Sequence, residues 1–248
     1  MANFDYEESR KRIEEILNSK TQIEEVDSIS NDEDGFTYEN GVRTWVGAMF
    51  IDIRNSTDYF KENDAEKVAR IMRAFTSELI GILKQNEKYV QIGIRGDCVY
   101  AIYSTPKQND LNDILSDACF INTFQKMFQK ILERKNWPTF KIGIGLGASK
   151  DLVIKAGRKG TGINDNIWIG DAVIDASKLS NEGNTRGIDP IVMNSCFYEN
   201  IKDFNANESY KYSDCAKKVW SSKLNEYVYC CNMVTIGFNN WIKDRFGY

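Results

Sequence analysis

TWVGAMFIDIRNST, residues 44–57, combines the strongest strand signal in the chain with its first sign of chemistry. Its first ten residues form a near-continuous apolar run with β-branched and aromatic members, which is typical of a strand covered on both faces. Asp52 interrupts that run near its end, where a carboxylate loses hydration unless hydrogen bonds or a cation replace the lost water. The polar turn that follows offers backbone N–H groups suited to phosphate oxygens, so the predicted ligand-binding residues there are Arg54, Asn55, Ser56 and Thr57.

The next segments predict a helix and then a hairpin. The helix should begin near Asn63, which would cap it while Glu66 lies three residues further on. Two short strand-like runs at 89–94 and 99–103 flank Gly96, and a glycine there permits the positive φ of a tight hairpin turn.

A second amphipathic helix ends before Pro138, and a strand at 140–148 alternates glycine with Ile and Leu, which lets another backbone approach closely. The order β-α-β-β-α-β predicts an α/β fold, an α+β sandwich with a ferredoxin-like core and C-terminal additions. We expect an N-terminal helix and acidic connector at 1–40, the main domain at 41–232 and a C-terminal tail at 233–248.

The additions include a helix near 171–180, a strand-rich region at 217–232 and a glycine-rich loop at 157–162. The loop has two interpretations. Its glycines and basic residues suit a triphosphate cradle, but it lacks the Walker spacing, and we favour a solvated hairpin tip.

Composition restricts the chemistry. The net charge of −4 and the pI near 5.2 disfavour a nucleic-acid partner. The absence of histidine excludes Ser-His and Cys-His catalysis and histidine-ligated metals. The six cysteines show no C-x-x-C spacing, so neither a disulfide framework nor a zinc site is indicated. No apolar run is long enough to span a bilayer and no signal peptide is evident, so we expect a cytoplasmic protein with no membrane partner.

Asp97 gives Asp52 a counterpart, because the end of the first strand and the tip of the hairpin lie side by side in such a unit. Two facing carboxylates repel unless divalent cations lie between them, and oxygen-only ligands suit Mg²⁺ or Mn²⁺ that bridge a triphosphate. The alternative is structural, with one turn aspartate and one capping aspartate.

These residues resemble a known family. Residues 50–57, FIDIRNST, resemble the first metal motif of class III adenylyl and guanylyl cyclases, and 94–97, IRGD, resemble the second. The resemblance implies two Mn²⁺ or Mg²⁺ ions per active site, bound by Asp52, Ile53 and Asp97. It also implies a homodimer with composite active sites and a reaction in which the ribose 3′-oxygen attacks the α-phosphorus. Arg95, in the second motif, becomes a candidate catalytic residue. Arg95 and Arg54 also have an alternative interpretation, because a basic residue beside an acidic pair is ordinary charge balance.

A third motif, WIGDAVIDASKL at 168–179, is similar to the family's glycine, Val-Asn and Ala-x-Arg-Leu segment, but it departs from that pattern. Ile174 and Lys178 stand where purine cyclases carry a ribose-binding asparagine and a transition-state arginine. Lys178 keeps the positive charge without the planar fork of arginine. Gly93 and Ile167 stand at the purine-selecting positions.

The third motif, with Trp168 as a candidate ligand-binding residue and with altered base-selecting positions, resembles the corresponding segment of the pyrimidine cyclases of bacterial Pycsar anti-phage systems. That resemblance implies conversion of UTP to cyclic UMP, or of CTP to cyclic CMP, and a separate effector activated by the cyclic nucleotide. Cyclic UMP is the preferred product. Two alternatives stay open at this point: a cyclase-like dimerisation or binding module without catalysis, and a purine cyclase whose base contacts lie elsewhere.

Overall fold

The computed structural model describes residues 4–30, 37–158, 161–207 and 209–247. Nine strands form one mixed sheet in the order β3-β4-β2-β5-β7-β9-β8, with β1 added to β2 and β6 added to β5. The strands are β1 Gln22–Glu25, β2 Asn40–Ile53, β3 Tyr89–Arg95, β4 Cys98–Ser104, β5 Ile142–Gly157, β6 Asn164–Ile169, β7 Ile191–Met193, β8 Lys217–Ser221 and β9 Glu226–Cys231. The helices are α1 Tyr6–Asn18, α2 Ser56–Glu62, α3 Ala65–Leu83, α4 Gln108–Arg134, α5 Asp171–Ser180, α6 Ser195–Ile201, α7 Tyr212–Cys215 and α8 Ile236–Phe246.

Strand β2 lies at the centre of the sheet, antiparallel to β4 on one side and to β5 on the other. Its residues alternate between two faces, as a pleated strand requires. Met49 and Ile51 pack into the main core with α3 and α4, whereas Ala48 and Phe50 face α5. This burial on both faces explains the near-continuous apolar sequence and confirms the predicted strand and α/β class.

Helix α5 lies unusually close to β5, and the glycines of β5 make that approach possible. A Cβ at Gly143, Gly145 or Gly147 would stand 2.0–2.1 Å from a backbone oxygen of α5 or of its C-terminal end. The alternation of glycine in the sequence therefore reflects contact with another backbone, as predicted.

We expect Gly145→Ala to destabilise the protein by about 1–3 kcal/mol, because its methyl group would meet the Ala176 carbonyl oxygen at 2.0 Å. Urea unfolding measures the change. The matched control is Gly81→Ala in α3, where no heavy atom lies within 4 Å of the added Cβ. That substitution should stabilise the helix by about 0.5–1 kcal/mol. Equal effects of the two substitutions would contradict the close packing of α5.

The predicted cap of the long helix was wrong by one residue, because Asp64 and not Asn63 caps α3. The sequence also did not predict the short helix α2 that precedes it. Asn63 follows α2, and its side-chain amide donates to the Tyr59 carbonyl at 2.7 Å. Asp64 is the cap of α3, because its carboxylate accepts from the Lys67 backbone N–H at 3.0 Å. Both residue types are good caps, so local sequence does not separate them.

The flanking regions add structure that the sequence did not indicate. Part of the predicted N-terminal region forms β1, which pairs in parallel with β2, and residues 31–36 of the acidic connector lie outside the described residues. The tail at 233–248 contains α8, whose Phe238 stacks on Phe120 of α4 at 4.9 Å between ring centroids. No helix in the described part of the chain is long and apolar enough to cross a membrane.

Candidate active site

Two carboxylates lie together at one end of the β2-β4 pair. Asp52 is the penultimate residue of β2, and Asp97 occupies the two-residue turn between β3 and β4 with Gly96, which has a φ of +64°. Ile51 pairs with Val99, and the negative charge of Asp97 acts on Asp52. The predicted convergence of the strand end and the hairpin tip is therefore present in the fold.

Arg54 is the immediate partner of Asp52. Its guanidinium donates to Asp52 Oδ2 through Nη2 and to the Asn181 carbonyl, beyond the end of α5, at 2.7 Å through Nη1. Both side chains are largely buried, with 13% and 16% exposure. Burial is the main cause that raises the pKa of Asp52 above its ordinary value; Arg54 opposes the increase and Asp97 adds to it.

Asp97 has an incomplete set of partners. Its Oδ2 is buried and has no hydrogen-bond partner among the described residues. A buried carboxylate oxygen without a donor is costly, and a divalent cation between Asp97 and Asp52 would remove that cost. No group of three or more Cys, Asp or Glu side chains in the described ranges is arranged to hold a metal. The two carboxylates thus fit an ion that takes its remaining ligands from main-chain or substrate oxygens.

Asp52 lies on the wall of a cleft of about 1480 Å³, whose lining among the described residues does not include Asp97. The structure places the predicted residues 52–57 together along its wall, with Asn55 in the left-handed conformation at φ 54° immediately before α2. Cations that the sequence reasoning missed also line the cleft: Lys141, Arg186 and Lys223. The cleft therefore combines a carboxylate suited to a metal ion with positive charges suited to phosphate groups.

Lys223 is held in place by buried groups. Its Nζ lies 3.5 Å from Oε1 of Glu182, a side chain that is 6% exposed. Ser221 Oγ donates to the other Glu182 oxygen at 2.6 Å. The positive charge of Lys223 also acts on Asp52, so this lysine from the β8-β9 turn belongs electrostatically to the carboxylate site.

Besides Asp97, three predicted site residues lie outside this cleft. Among the described residues, the lining of the cleft includes none of Arg95, Trp168 and Lys178. Arg95 and Lys178 are solvent-exposed, at the end of β3 and in the last turn of α5, and Trp168 lies in β6. One chain by itself does not bring these side chains into the cleft.

Trp168 belongs to a separate polar cluster centred on Gln91, which the sequence reasoning missed. The indole Nε1 donates to Gln91 Oε1 at 2.7 Å, and Gln91 Nε2 donates to Asp165 at 3.3 Å and to the Tyr100 hydroxyl at 3.3 Å. The ring of Tyr100 covers Gly93, where a Cβ would lie 2.4 Å from its Cζ and Oη atoms. Gly93 is thus required for the position of Tyr100.

Gly157, where the glycine-rich loop begins, pairs with Asn164, so the loop connects the antiparallel strands β5 and β6, as favoured from the sequence. Lys159 and Gly160 lie outside the described residues. Thr161 Oγ1 donates to the Arg158 carbonyl at 2.7 Å, which is a local turn contact.

Comparison with known proteins gives independent findings. Residues 41–190 match the family described as Adenylate and Guanylate cyclase catalytic domain. A protein of Treponema porcinum named uridylate cyclase is 40% identical over 241 residues, which cover 96% of this chain and 81% of that protein. A protein of Gulbenkiania mobilis with the same name is 33% identical over 254 residues and covers 98% of this chain and 97% of its own length. The crystal structure of the adenylyl cyclase CyaB from P. aeruginosa shares the fold, with a TM-score of 0.61 at 20% identity, over 76% of this chain and 93% of that one.

Proposed function

We propose, because this chain belongs to the adenylate and guanylate cyclase catalytic domain family, that it is a nucleotidyl cyclase that converts UTP to 3′,5′-cyclic UMP and pyrophosphate. The observation that carries the choice of substrate is the 40% identity with a protein named uridylate cyclase over 96% of the chain. CTP is the second candidate substrate, because cytosine is also a one-ring base.

The Asp52 and Asp97 carboxylates would hold two Mg²⁺ or Mn²⁺ ions, with the Ile53 main chain as a further ligand. The unpartnered Oδ2 of Asp97 supports this assignment. Bound there, the ions supply charge neutralisation and a lowered pKa for the ribose 3′-hydroxyl. No protein nucleophile is required for the in-line attack of that oxygen on the α-phosphorus, in agreement with the absence of histidine.

The remaining site residues bind and orient the triphosphate. Arg54 lies beside Asp52 and is free to exchange its carboxylate partner for a phosphate once a metal ion neutralises Asp52. Asn55 and the first two residues of α2, Ser56 and Thr57, lie next to it and offer polar groups to the same phosphates. Lys141, Arg186 and Lys223 approach from the other walls of the cleft and offset the charge of the leaving pyrophosphate.

We further propose that the enzyme works as a homodimer. Lys178 is exposed outside the cleft of its own chain, so this catalytic candidate would act from a second copy. Arg95 lies two residues before Asp97 and would act from the chain that supplies the carboxylates. The surface near Lys178 and Trp168 exposes apolar side chains that a partner would cover: Ile167 at 46%, Ile169 at 49% and Ile174 at 48%. Lys178 would then stabilise the charge that develops on the transferred phosphorus.

The proposed biological role is the synthesis of a second messenger in anti-phage defence, in the cytoplasm. The resemblance of the 168–179 motif to Pycsar cyclases supports it. Expression of the chain with a neighbouring cyclic-nucleotide-binding effector should reduce phage plaques, and Asp97→Asn should remove the protection. Protection by the effector with the Asp97→Asn chain would contradict this role.

The reaction is tested by incubating the purified protein with Mn²⁺ and ATP, GTP, CTP or UTP separately and resolving the products by mass. The expected product is cyclic UMP from UTP. Cyclic CMP as the main product would select the second candidate substrate, and a purine product would contradict pyrimidine selection. Failure to form any cyclic product would favour the non-catalytic module.

Replacing Lys223 by Ala should raise the KM for UTP about fivefold with little change in kcat, the equivalent of roughly 1 kcal/mol for one solvent-screened phosphate contact. Steady-state kinetics measures the change. The control is Lys217→Ala, which removes an exposed lysine that pairs with Asp189 instead. An equal KM for the two variants would place Lys223 outside the substrate site.

A further inference from the structure

We infer that Arg54 competes with the metal ions for Asp52 and thereby makes the metal ions and the triphosphate bind cooperatively, each well only when the other is present. This inference rests on the proposed function, because it concerns the regulation of the same site. It adds a linkage between two ligands that can be measured without catalysis.

Arg54 takes the place of a cation at one of the two carboxylates. Its Nη2 donates to Asp52 Oδ2, and both side chains are largely buried. Asp97 has no such cation, since its buried Oδ2 lacks a hydrogen-bond partner among the described residues. A divalent ion at Asp52 Oδ2 would lie close to the guanidinium, and like charges at that distance repel. A metal ion must therefore displace Arg54 from Asp52.

Asp52 satisfies only part of the guanidinium. Nε and Nη2 form one edge of this planar group, which can donate two parallel hydrogen bonds to a carboxylate or a phosphate. Nη2 of Arg54 donates to Asp52, whereas Nε is buried and has no partner in the described part of the chain. A buried donor without an acceptor is costly. The oxygens of one phosphate group can accept from both nitrogens, so Arg54 has a better partner once a triphosphate is bound.

The exchange of partners requires only a side-chain movement. The Arg54 backbone N–H donates to the Lys141 carbonyl at 2.8 Å, and Nη1 donates to the Asn181 carbonyl at 2.7 Å. Asn181 is itself fixed at the C-terminal end of α5, where its side-chain amide donates to the Ser177 carbonyl at 3.0 Å. Arg54 already lines the cleft. A rotation that keeps the contact with Asn181 can therefore present the Nε–Nη2 edge to a phosphate.

This exchange links two binding equilibria. A metal ion that binds alone must separate Arg54 from Asp52 and leaves the guanidinium short of acceptors. A triphosphate that binds alone attracts Arg54 but leaves the Asp52 carboxylate without a cation beside new negative charge. When both are bound, the metal ion neutralises Asp52 and the phosphates accept from Arg54. Each ligand therefore raises the affinity for the other, by the same factor in both directions.

The test measures Mn²⁺ binding by electron paramagnetic resonance in Arg54→Met, which removes the guanidinium and keeps an unbranched side chain. Without nucleotide, Mn²⁺ should bind about tenfold more tightly than to the wild type, because no internal cation competes for Asp52. The second ligand is 3′-deoxy-UTP, which lacks the attacking hydroxyl and cannot cyclise. The factor by which this analogue raises the Mn²⁺ affinity should fall about tenfold, because the variant has no guanidinium to transfer to the phosphates.

Two further variants keep the test decisive. Arg186→Met removes the same charge from the same cleft, and no hydrogen bond or ion pair among the described residues joins Arg186 to Asp52. It should weaken binding of the analogue but leave Mn²⁺ binding without nucleotide within about twofold of the wild type. Arg54→Lys keeps a cation that can pair with Asp52, so its Mn²⁺ affinity should lie between those of the wild type and Arg54→Met.

Tighter Mn²⁺ binding in the order Arg54→Met, Arg54→Lys, wild type supports the competition even if the wild type were to form no cyclic UMP, which would overturn only the proposed reaction. Unchanged or weaker Mn²⁺ binding in both Arg54 variants would mean that Arg54 only braces the site, and would overturn the inference. Equal tightening in Arg54→Met and Arg186→Met would also overturn it, because the effect would then reflect the total charge of the cleft.

Discussion

Replacing Asp97 by Asn should reduce cyclic UMP formation roughly a thousandfold, about 4 kcal/mol of transition-state stabilisation. The amide keeps the shape of the carboxylate but removes the negative charge that two bound cations require. Asp52→Asn should have a similar effect. Initial rates with UTP at saturating Mn²⁺ measure the loss, and Mn²⁺ binding followed by electron paramagnetic resonance should weaken in parallel.

The same substitution should not weaken the metal-free fold. The Oδ2 atom of Asp97 is buried without a donor, and its charge raises the pKa of Asp52, so removing that charge removes an unfavourable interaction. Urea unfolding without metal should give an equal or larger free energy of unfolding for Asp97→Asn than for the wild type. The control is Asp113→Asn, an exposed carboxylate of α4, which should leave Mn²⁺ binding and the rate unchanged. Full activity of Asp97→Asn would reject the metal assignment.

The pair of carboxylates was predictable because it depends on local rules. An apolar strand, a turn with Gly96 and the period-2 alternation of strands suffice to bring Asp52 and Asp97 to one end of the sheet. The fold class was predictable from the β-α-β-β-α-β order of segments. The glycines at 143, 145 and 147 predicted the close approach of another backbone. Arg54 was open to two interpretations, and the structure shows it as the counter-ion of Asp52.

The site residues that the sequence did not predict depend on pairing between strands that are distant from each other along the chain. Lys223 reaches the cleft only because β9 pairs with β7 and carries the β8-β9 turn to the carboxylate edge. Arg186 lies in the connection between α5 and β7, with no motif around it. In the sequence Gln91 is one polar residue of a strand, and its hydrogen bond with Trp168 forms only because β6 lies across the same sheet face. Local periodicity carries no information about such partners.

Mixing two inactive variants should restore activity if the active site is shared between two chains. Lys178→Ala should lose roughly a hundredfold or more, because it removes the positive charge proposed for the transferred phosphorus. Lys178→Arg keeps that charge and should stay within about tenfold of the wild type. Asp97→Asn loses activity for a different reason, because it removes a carboxylate charge that the bound metal ions require.

In a head-to-tail dimer of Lys178→Ala with Asp97→Asn, one site carries both defects and the other carries none. Random exchange in an equimolar mixture makes about half of the dimers mixed, each with one intact site of two, so the rate should recover to about a quarter of the wild-type rate. The recovery should depend on protein concentration and on time for exchange. A mixture that stays as inactive as its components, although the chains exchange as shown by two fluorescent labels, would place Lys178 in the same site and the same chain as Asp97. The exposure of Lys178 outside the cleft of its own chain is the reason to expect recovery.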